Sequence, residues 1–415
     1  MPKGKRRFKS YRLRGPYEKP WLNDPNLNKT RYNNWIVTFF IVTGFILAGL
    51  VCFFSVRPYQ SGPYCLVFED DFKALDTSVW SHMVEIDGFG TGSFDWTTTD
   101  PLNSYVDESG LHIVPTLTNE TTSITNDQLF DGYTLNLTKG GGDGTCTGTS
   151  NTQCSIKSDP KAGSMIPPVR SARLTTKGTK SIRYGRVEVV AKLPQGDWLW
   201  PAIWMMPEDS AYGVWPRSGE IDIMESRGND FDYPSGGRDL YYGSLHWGPS
   251  TATDAYWRTT SAKQLRRGDF SEGFHTFGLE WTENHIYFYM DNRLTQILFV
   301  GFTNKEDLWT KGKFADMEEN STLFTDPWAS STSQTGNAPF DQPFHLILNV
   351  AVGSRMGWFP DNQGDKPWLD AATNAQWTFW SAADKWLPTW GEGDKRGMTV
   401  KSVKMWQKGA CGAEL

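Results

Sequence analysis

Residues Trp35–Phe54 form an unbroken run of 20 residues without a charge, and no other feature constrains this chain as strongly. About 20 apolar residues span the hydrocarbon of a bilayer, whereas a signal-peptide core needs about 7–15. The run predicts one transmembrane helix over 35–55. It divides the chain into a basic tail (1–34), a short stalk (56–64) with Pro58, Gly62 and Pro63, and a large domain (65–411). A cleaved signal is the rival reading; the length of the run and the long basic head speak against it.

Charge is distributed unevenly across that division. Of 41 basic and 47 acidic residues, ten and two lie in 1–34. The remaining 31 and 45 give everything after position 34 a net charge of −14. A basic flank stays in the cytosol, so the large domain is expected outside or in the lumen, as in a single-pass type II membrane protein. An acidic body excludes nucleic-acid binding, which wants a basic footprint; a neutral polysaccharide is compatible with it.

Cysteine usage fits an oxidising compartment. Cys52 lies in the apolar run, leaving Cys65, Cys146, Cys154 and Cys411. Of the three possible connectivities, Cys146–Cys154 with Cys65–Cys411 is favoured. The spacing does not suit a zinc site, so no metal or other cofactor is expected. Three sequons, at Asn119, Asn136 and Asn320, are candidate glycosylation sites.

Trp, Tyr and Phe number 20, 15 and 24, alongside 40 Gly and 23 Pro, a composition of strands and turns rather than helices. Arg186–Leu193 alternates, placing Val187, Val189, Ala191 and Leu193 on one face. Phe277, Leu279 and Trp281 alternate too, and Ile286–Met290 completes a hairpin pattern. Phe344–Val352 is nearly continuous in apolar residues, as a strand buried on both faces would be. Gly140–Ser150 reads as a surface loop. The expected fold is all-β: a two-sheet sandwich, or jelly roll, with a concave substrate cleft.

The chemistry is concentrated in Glu220-Ile-Asp-Ile-Met-Glu225. On a regular strand Glu220 and Asp222 share a face while Glu225 points the other way. One extra residue in a bulge between Asp222 and Glu225 puts all three carboxyls together and turns Ile221 and one of Ile223 and Met224 into the core. Three acids crowded on one face repel one another. A pair of carboxyls at about 5–5.5 Å performs retaining glycoside hydrolysis, one as nucleophile and one as acid/base. The third holds a proton or hydrogen bond that orients the nucleophile. A calcium site or an exposed acidic strand suits the flanking aromatic residues less well than a sugar does.

At these residues the chain resembles glycoside hydrolase family 16, in its laminarinase-like branch with the bulged Glu-x-Asp-x-x-Glu motif. The likeness continues through Glu69-Asp-Asp-Phe72 with Trp80, Tyr184–Glu188, Gly196–Trp204, Gly243–Trp247, Leu279–Trp281, Leu346–Gly353 and Val403–Trp406. It thus covers roughly residues 65–410. By the resemblance Glu220 is the nucleophile, Asp222 its assisting acid and Glu225 the acid/base, on a curved jelly roll. Trp215, Arg217, His246, Trp247 and Asn349 are the expected substrate-binding residues. For Arg217 pairing with an acid is the alternative, and for Asn349 a structural hydrogen bond. Trp198, Trp200 and Trp204 are shared between core and cleft wall. The family's outer-subsite element is replaced here by Gly90–Trp96, and Lys401 stands where calcium-holding members carry an acid.

Three functions fit these residues. The first is a retaining endo-β-glucanase acting on β-1,3- or mixed β-1,3/1,4-glucan. The second is a β-glucan transglycosylase remodelling cell-wall glucan, since the anchor is similar to that of fungal proteins implicated in building such walls. The third is a non-catalytic β-1,3-glucan receptor, a role for which related invertebrate proteins have lost the carboxylates. The sequence leaves the oligomeric state open.

Overall fold

The computed structural model describes residues 10–12, 14–57, 62–302, 306–319 and 321–412, in two units divided after residue 60. The first contains a helix over Asn28–Val56, 29 residues or about 43 Å long at 1.5 Å per residue. From Trp35 to Phe54 it is apolar on every side, and none of its residues is buried. The expected 35–55 span lies within it. Asn320 and part of both the tail and the stalk lie outside the described residues.

The second unit is built from two large antiparallel sheets. One runs in the order Asn292–Gly301, His285–Met290, His275–Trp281, Gly185–Lys192, Met398–Lys408, Gly110–Ile113 and Ser104–Asp107, with Tyr64–Asp70 also paired to Met398–Lys408. The other runs Thr260–Gln264, Leu240–His246, Glu220–Ser226, Leu199–Pro207, Phe344–Val352, Arg173–Thr175 and Ser81–His82. Ser181–Ile182 adds to Phe344–Val352.

Alternation explains why the sheets stack. Val187, Val189 and Ala191 are fully buried on one strand, while their neighbours Arg186, Glu188 and Val190 are partly exposed. Facing them from the second sheet, Leu174, Ile203, Met205, Ile221, Leu245, Leu348 and Val350 enter the same core. Each such aliphatic side chain contributes about 1.5–3 kcal/mol on burial. Phe344–Val352 lies inside its sheet and is buried along almost its whole length. The helices of this unit are short, the longest being Ala375–Ser381.

Both expected disulfides are present. Cys65–Cys411 joins the ends of the unit, and Cys146–Cys154 closes a loop of eight residues' separation. Asn119 and Asn136 are half-buried. The hydroxyl of Thr138 donates to Asn136 Oδ1 at 2.7 Å, so that sequon is folded into its own turn.

Candidate active site

The Glu220–Ser226 strand carries the bulge. Glu220 lies opposite His246, Asp222 opposite Ser244 and Glu225 opposite Tyr242. Ile223 and Met224 therefore stand against the single residue Gly243. On the other side Glu225 is opposite Ala202 and Asp222 opposite Trp204. Glu220, Asp222 and Glu225 are thereby brought onto one face, with Trp200 and Trp204 of the neighbouring strand and Asn349 and Arg173 beyond it. Ile223 and Met224 are both buried, where the sequence reading assigned only one of them to the core. Gly243 completes the arrangement: a Cβ there would come within 2.8 Å of Phe288.

Each outer carboxylate has its own indole donor. Trp215 Nε1 donates to Glu220 Oε2 at 2.8 Å, and Trp200 Nε1 donates to Glu225 Oε1 at 3.0 Å. The loop bearing Trp215 is tied down at several points. Ser218 Oγ accepts from the Tyr212 amide and donates to the Gly213 carbonyl, and Trp328 Nε1 donates to the Arg217 carbonyl. Gly219, at φ +82°, brings the chain against Pro339 and Phe340 before the strand begins.

Asp222 is 2% exposed. Its Oδ2 lies 3.2 Å from His246 Nε2, close but out of line for a hydrogen bond. His246 Nδ1 lies 2.5 Å from Asp254 Oδ2. Burial works against a charged imidazole, but the Asp222 and Asp254 carboxylates outweigh it and hold His246 protonated well above its ordinary range. The ring stacks on Tyr256 at 5.1 Å and tilts against Trp215 at 5.7 Å.

All three acids are pushed upward, first by burial. The charge of Asp222 adds to burial at Glu220, and that of Glu225 adds to it at Asp222, so the Glu220–Asp222 pair retains a proton well above the ordinary carboxylate range. Glu225 reaches about 7; the charge of Glu220 adds to burial, and His246, the Trp200 bond and Arg227 act against it. One carboxyl that holds its proton near neutrality beside a pair that shares one is the protonation pattern of acid/base chemistry.

Glu220, Asp222 and His246 each offer one atom within 4.8 Å of the others, close enough for a small cation. The paired, protonated imidazole has no lone pair free for coordination, so the set suits proton chemistry better than metal binding.

Beyond Trp204 the face ends in Arg173, whose guanidinium lies between the Phe89 ring at 4.0 Å and the Trp204 ring at 4.6 Å. Glu85, buried nearby, is raised to about 7 by burial and by Asp87. Opposite, Trp358 stacks on Trp200 at 4.9 Å.

The substrate-binding expectations divide. Trp215 and His246 border the carboxylates. Trp247 does not: it is fully buried, donates Nε1 to Thr259 Oγ1 at 2.8 Å and packs on Phe314 and Trp328. Strand alternation turns it away from the cleft that His246 faces. Arg217 donates Nε to the Pro249 carbonyl at 2.6 Å rather than to an acid. Asn349 Oδ1 accepts from Trp204 Nε1 at 2.8 Å, which gives it the structural bond left open as an alternative. Of the three unsorted tryptophans, Trp198 is core, and Trp200 and Trp204 face the cleft. Asp254, Tyr256, Arg173, Arg227 and Trp358 were missed; only Arg173 carries a local signal, its alternation with buried Leu174.

Among solved structures, the laminarinase catalytic domain from Thermotoga maritima aligns with 84% of this chain and 99% of its own at a TM-score of 0.49 and 23% identity. Glucan endo-1,3-beta-glucosidase A1 of Niallia circulans is 32% identical over 212 residues, 51% of this chain and 26% of that one. A protein of Penaeus monodon named beta-1,3-glucan-binding protein is 40% identical over 350 residues, covering 83% of this chain and 90% of its own. The family model for glycosyl hydrolases family 16 matches residues 110–341. With more than half its length in that match, the chain belongs to glycosyl hydrolase family 16.

Proposed function

We propose that this protein is a retaining endo-β-glucanase of β-1,3- or mixed β-1,3/1,4-glucan, with its catalytic unit held outside the cytosol by the Asn28–Val56 helix. The observation that carries the reading is the triad of carboxyls on one bulged strand, Asp222 buried and Glu220 and Glu225 half-buried, the outer two each bonded to an indole. Burying three acids together costs stability, a cost that structure alone does not repay. The helix, basic over its first turns and apolar from Trp35 to Phe54, supports the anchor.

In this reading Glu220 attacks the anomeric carbon as the glycosidic C–O bond breaks, and Glu225 gives its proton to the departing oxygen. Water then attacks the same carbon, passes a proton to Glu225 and releases Glu220 as a carboxylate. Asp222 stays a carboxylate against the protonated His246, and with His246 and Trp215 it orients Glu220, which attacks in its ionised form. An acceptor sugar in place of water gives transglycosylation through the same intermediate.

Incubation of the purified full-length chain with laminarin, lichenan and pustulan, with products resolved by size, tests this. A ladder of shortened laminarin products is expected, and unchanged substrates would refute it. The second reading, a β-1,3-glucan-binding protein, is favoured by the name of the shrimp relative. It predicts laminarin binding without any product.

A further inference from the structure

Arg227 follows Glu225 by two residues, one position past the end of the Glu220–Ser226 strand, and its charge acts on Glu225. It is 6% exposed, and its guanidinium is satisfied by carbonyls. Nε and Nη2 both donate to the Trp358 carbonyl, at 2.9 and 2.7 Å, and Nη1 donates to the Ser235 carbonyl at 2.6 Å. The Tyr242 hydroxyl donates to that same Ser235 carbonyl at 3.0 Å. The guanidinium also lies 4.1 Å from the Trp358 ring centre, so one cation grips both the backbone and the ring of a single tryptophan.

Trp358 is in turn stacked on Trp200, nearly parallel at 14°, and Trp200 Nε1 is the donor to Glu225 Oε1. The loop that brings Trp358 there is fastened at its far side. Asp370 accepts from the Gly357 amide at 2.8 Å and pairs with Lys366, which also bridges to Asp361. Every joint from Arg227 to the carboxyl is therefore a named contact. A rotation of Trp358 would free the Trp200 indole to swing off Glu225.

We infer that Arg227 is a positioning residue for Glu225, acting through Trp358 and Trp200 to hold the carboxyl where it meets the departing oxygen. The inference rests on the glucanase reading above. It does not make Arg227 a ligand of the sugar, because the guanidinium is enclosed by Trp358, Tyr242, Tyr233 and Phe359.

The test uses the full-length chain in detergent micelles with laminarin and with a dinitrophenyl β-laminaribioside, whose leaving group needs no proton. Arg227→Gln is expected to lower kcat/KM on laminarin about tenfold, a part of what a general acid supplies, and to leave the activated substrate within about twofold. Arg227→Lys, which keeps the charge and one hydrogen bond, should recover part of the loss. Trp358→Ala breaks the same chain at a partly exposed position and should repeat the pattern even if Arg227→Gln fails to fold. Equal losses on both substrates, or none, in variants of an active wild type would overturn the inference alone. A wild type inactive on both substrates would overturn the glucanase reading and this inference with it.

Discussion

Asp222 and Glu225 are three residues apart on one strand, and the bulge at Ile223–Met224 turns both onto the same face. That single irregularity makes a triad out of a spacing that a regular strand would split. Glu220→Gln is therefore expected to reduce turnover of laminarin to background while leaving its Kd within about threefold, because affinity comes from rings and hydroxyl contacts. Reducing-end release and calorimetric titration measure the two. Near-normal turnover would remove Glu220 from the nucleophile's role.

Glu225→Gln should act differently. Its kcat/KM on laminarin should fall by about 10²–10⁴, the usual share of general acid catalysis. A dinitrophenyl glycoside should retain most of its own kcat/KM. Damage of equal size on both substrates would argue that Glu225 is not the proton donor.

The raised acids also set a pH dependence of stability. The folded chain holds the Glu225 proton up to about 7 against an ordinary value of 4.5, so it binds protons more tightly than the unfolded chain. The stabilisation is complete below about pH 4.5 and is lost as pH rises through 7. Glu225→Gln should accordingly raise the thermal midpoint at pH 8 by a few degrees, with the gain vanishing near pH 4.5. Scanning calorimetry at both pH values decides it; a gain of the same size at each would contradict the linkage.

Much of this was legible in the sequence because strand alternation is local. Val187, Val189 and Ala191 declared their buried face, and the Glu220, Asp222, Glu225 spacing required a bulge to be useful. The even number of cysteines outside the apolar run restricted the pairings to three. His246 and Trp247 were both assigned to the cleft, although adjacent strand residues face opposite ways; alternation alone would have separated them. Trp200 and Trp204 share a face by the same rule, and Trp198, at φ +67°, precedes the regular strand. Asp254 and Trp358 reach the site from loops, where no periodicity marks a side chain's direction. The similarity to anchored fungal proteins rested on the Trp35–Phe54 run, which says nothing of source; the relatives named above come from a shrimp and a bacterium.

Topology gives a separate expectation. The full-length chain should resist alkaline carbonate extraction, and protease outside intact secretory vesicles should trim only the N-terminal tail. A soluble product beginning near residue 56 would show that the apolar run is a cleaved signal.

The central claim is a covalent intermediate formed by Glu220 and released with Glu225 as base. Two successive displacements at one carbon restore its configuration. Proton NMR of laminarin digested by the full-length chain should therefore show the β anomer of the new reducing end first, with the α anomer growing in only as mutarotation proceeds. An α anomer at the earliest times, or no new anomeric signal at all, would contradict the account.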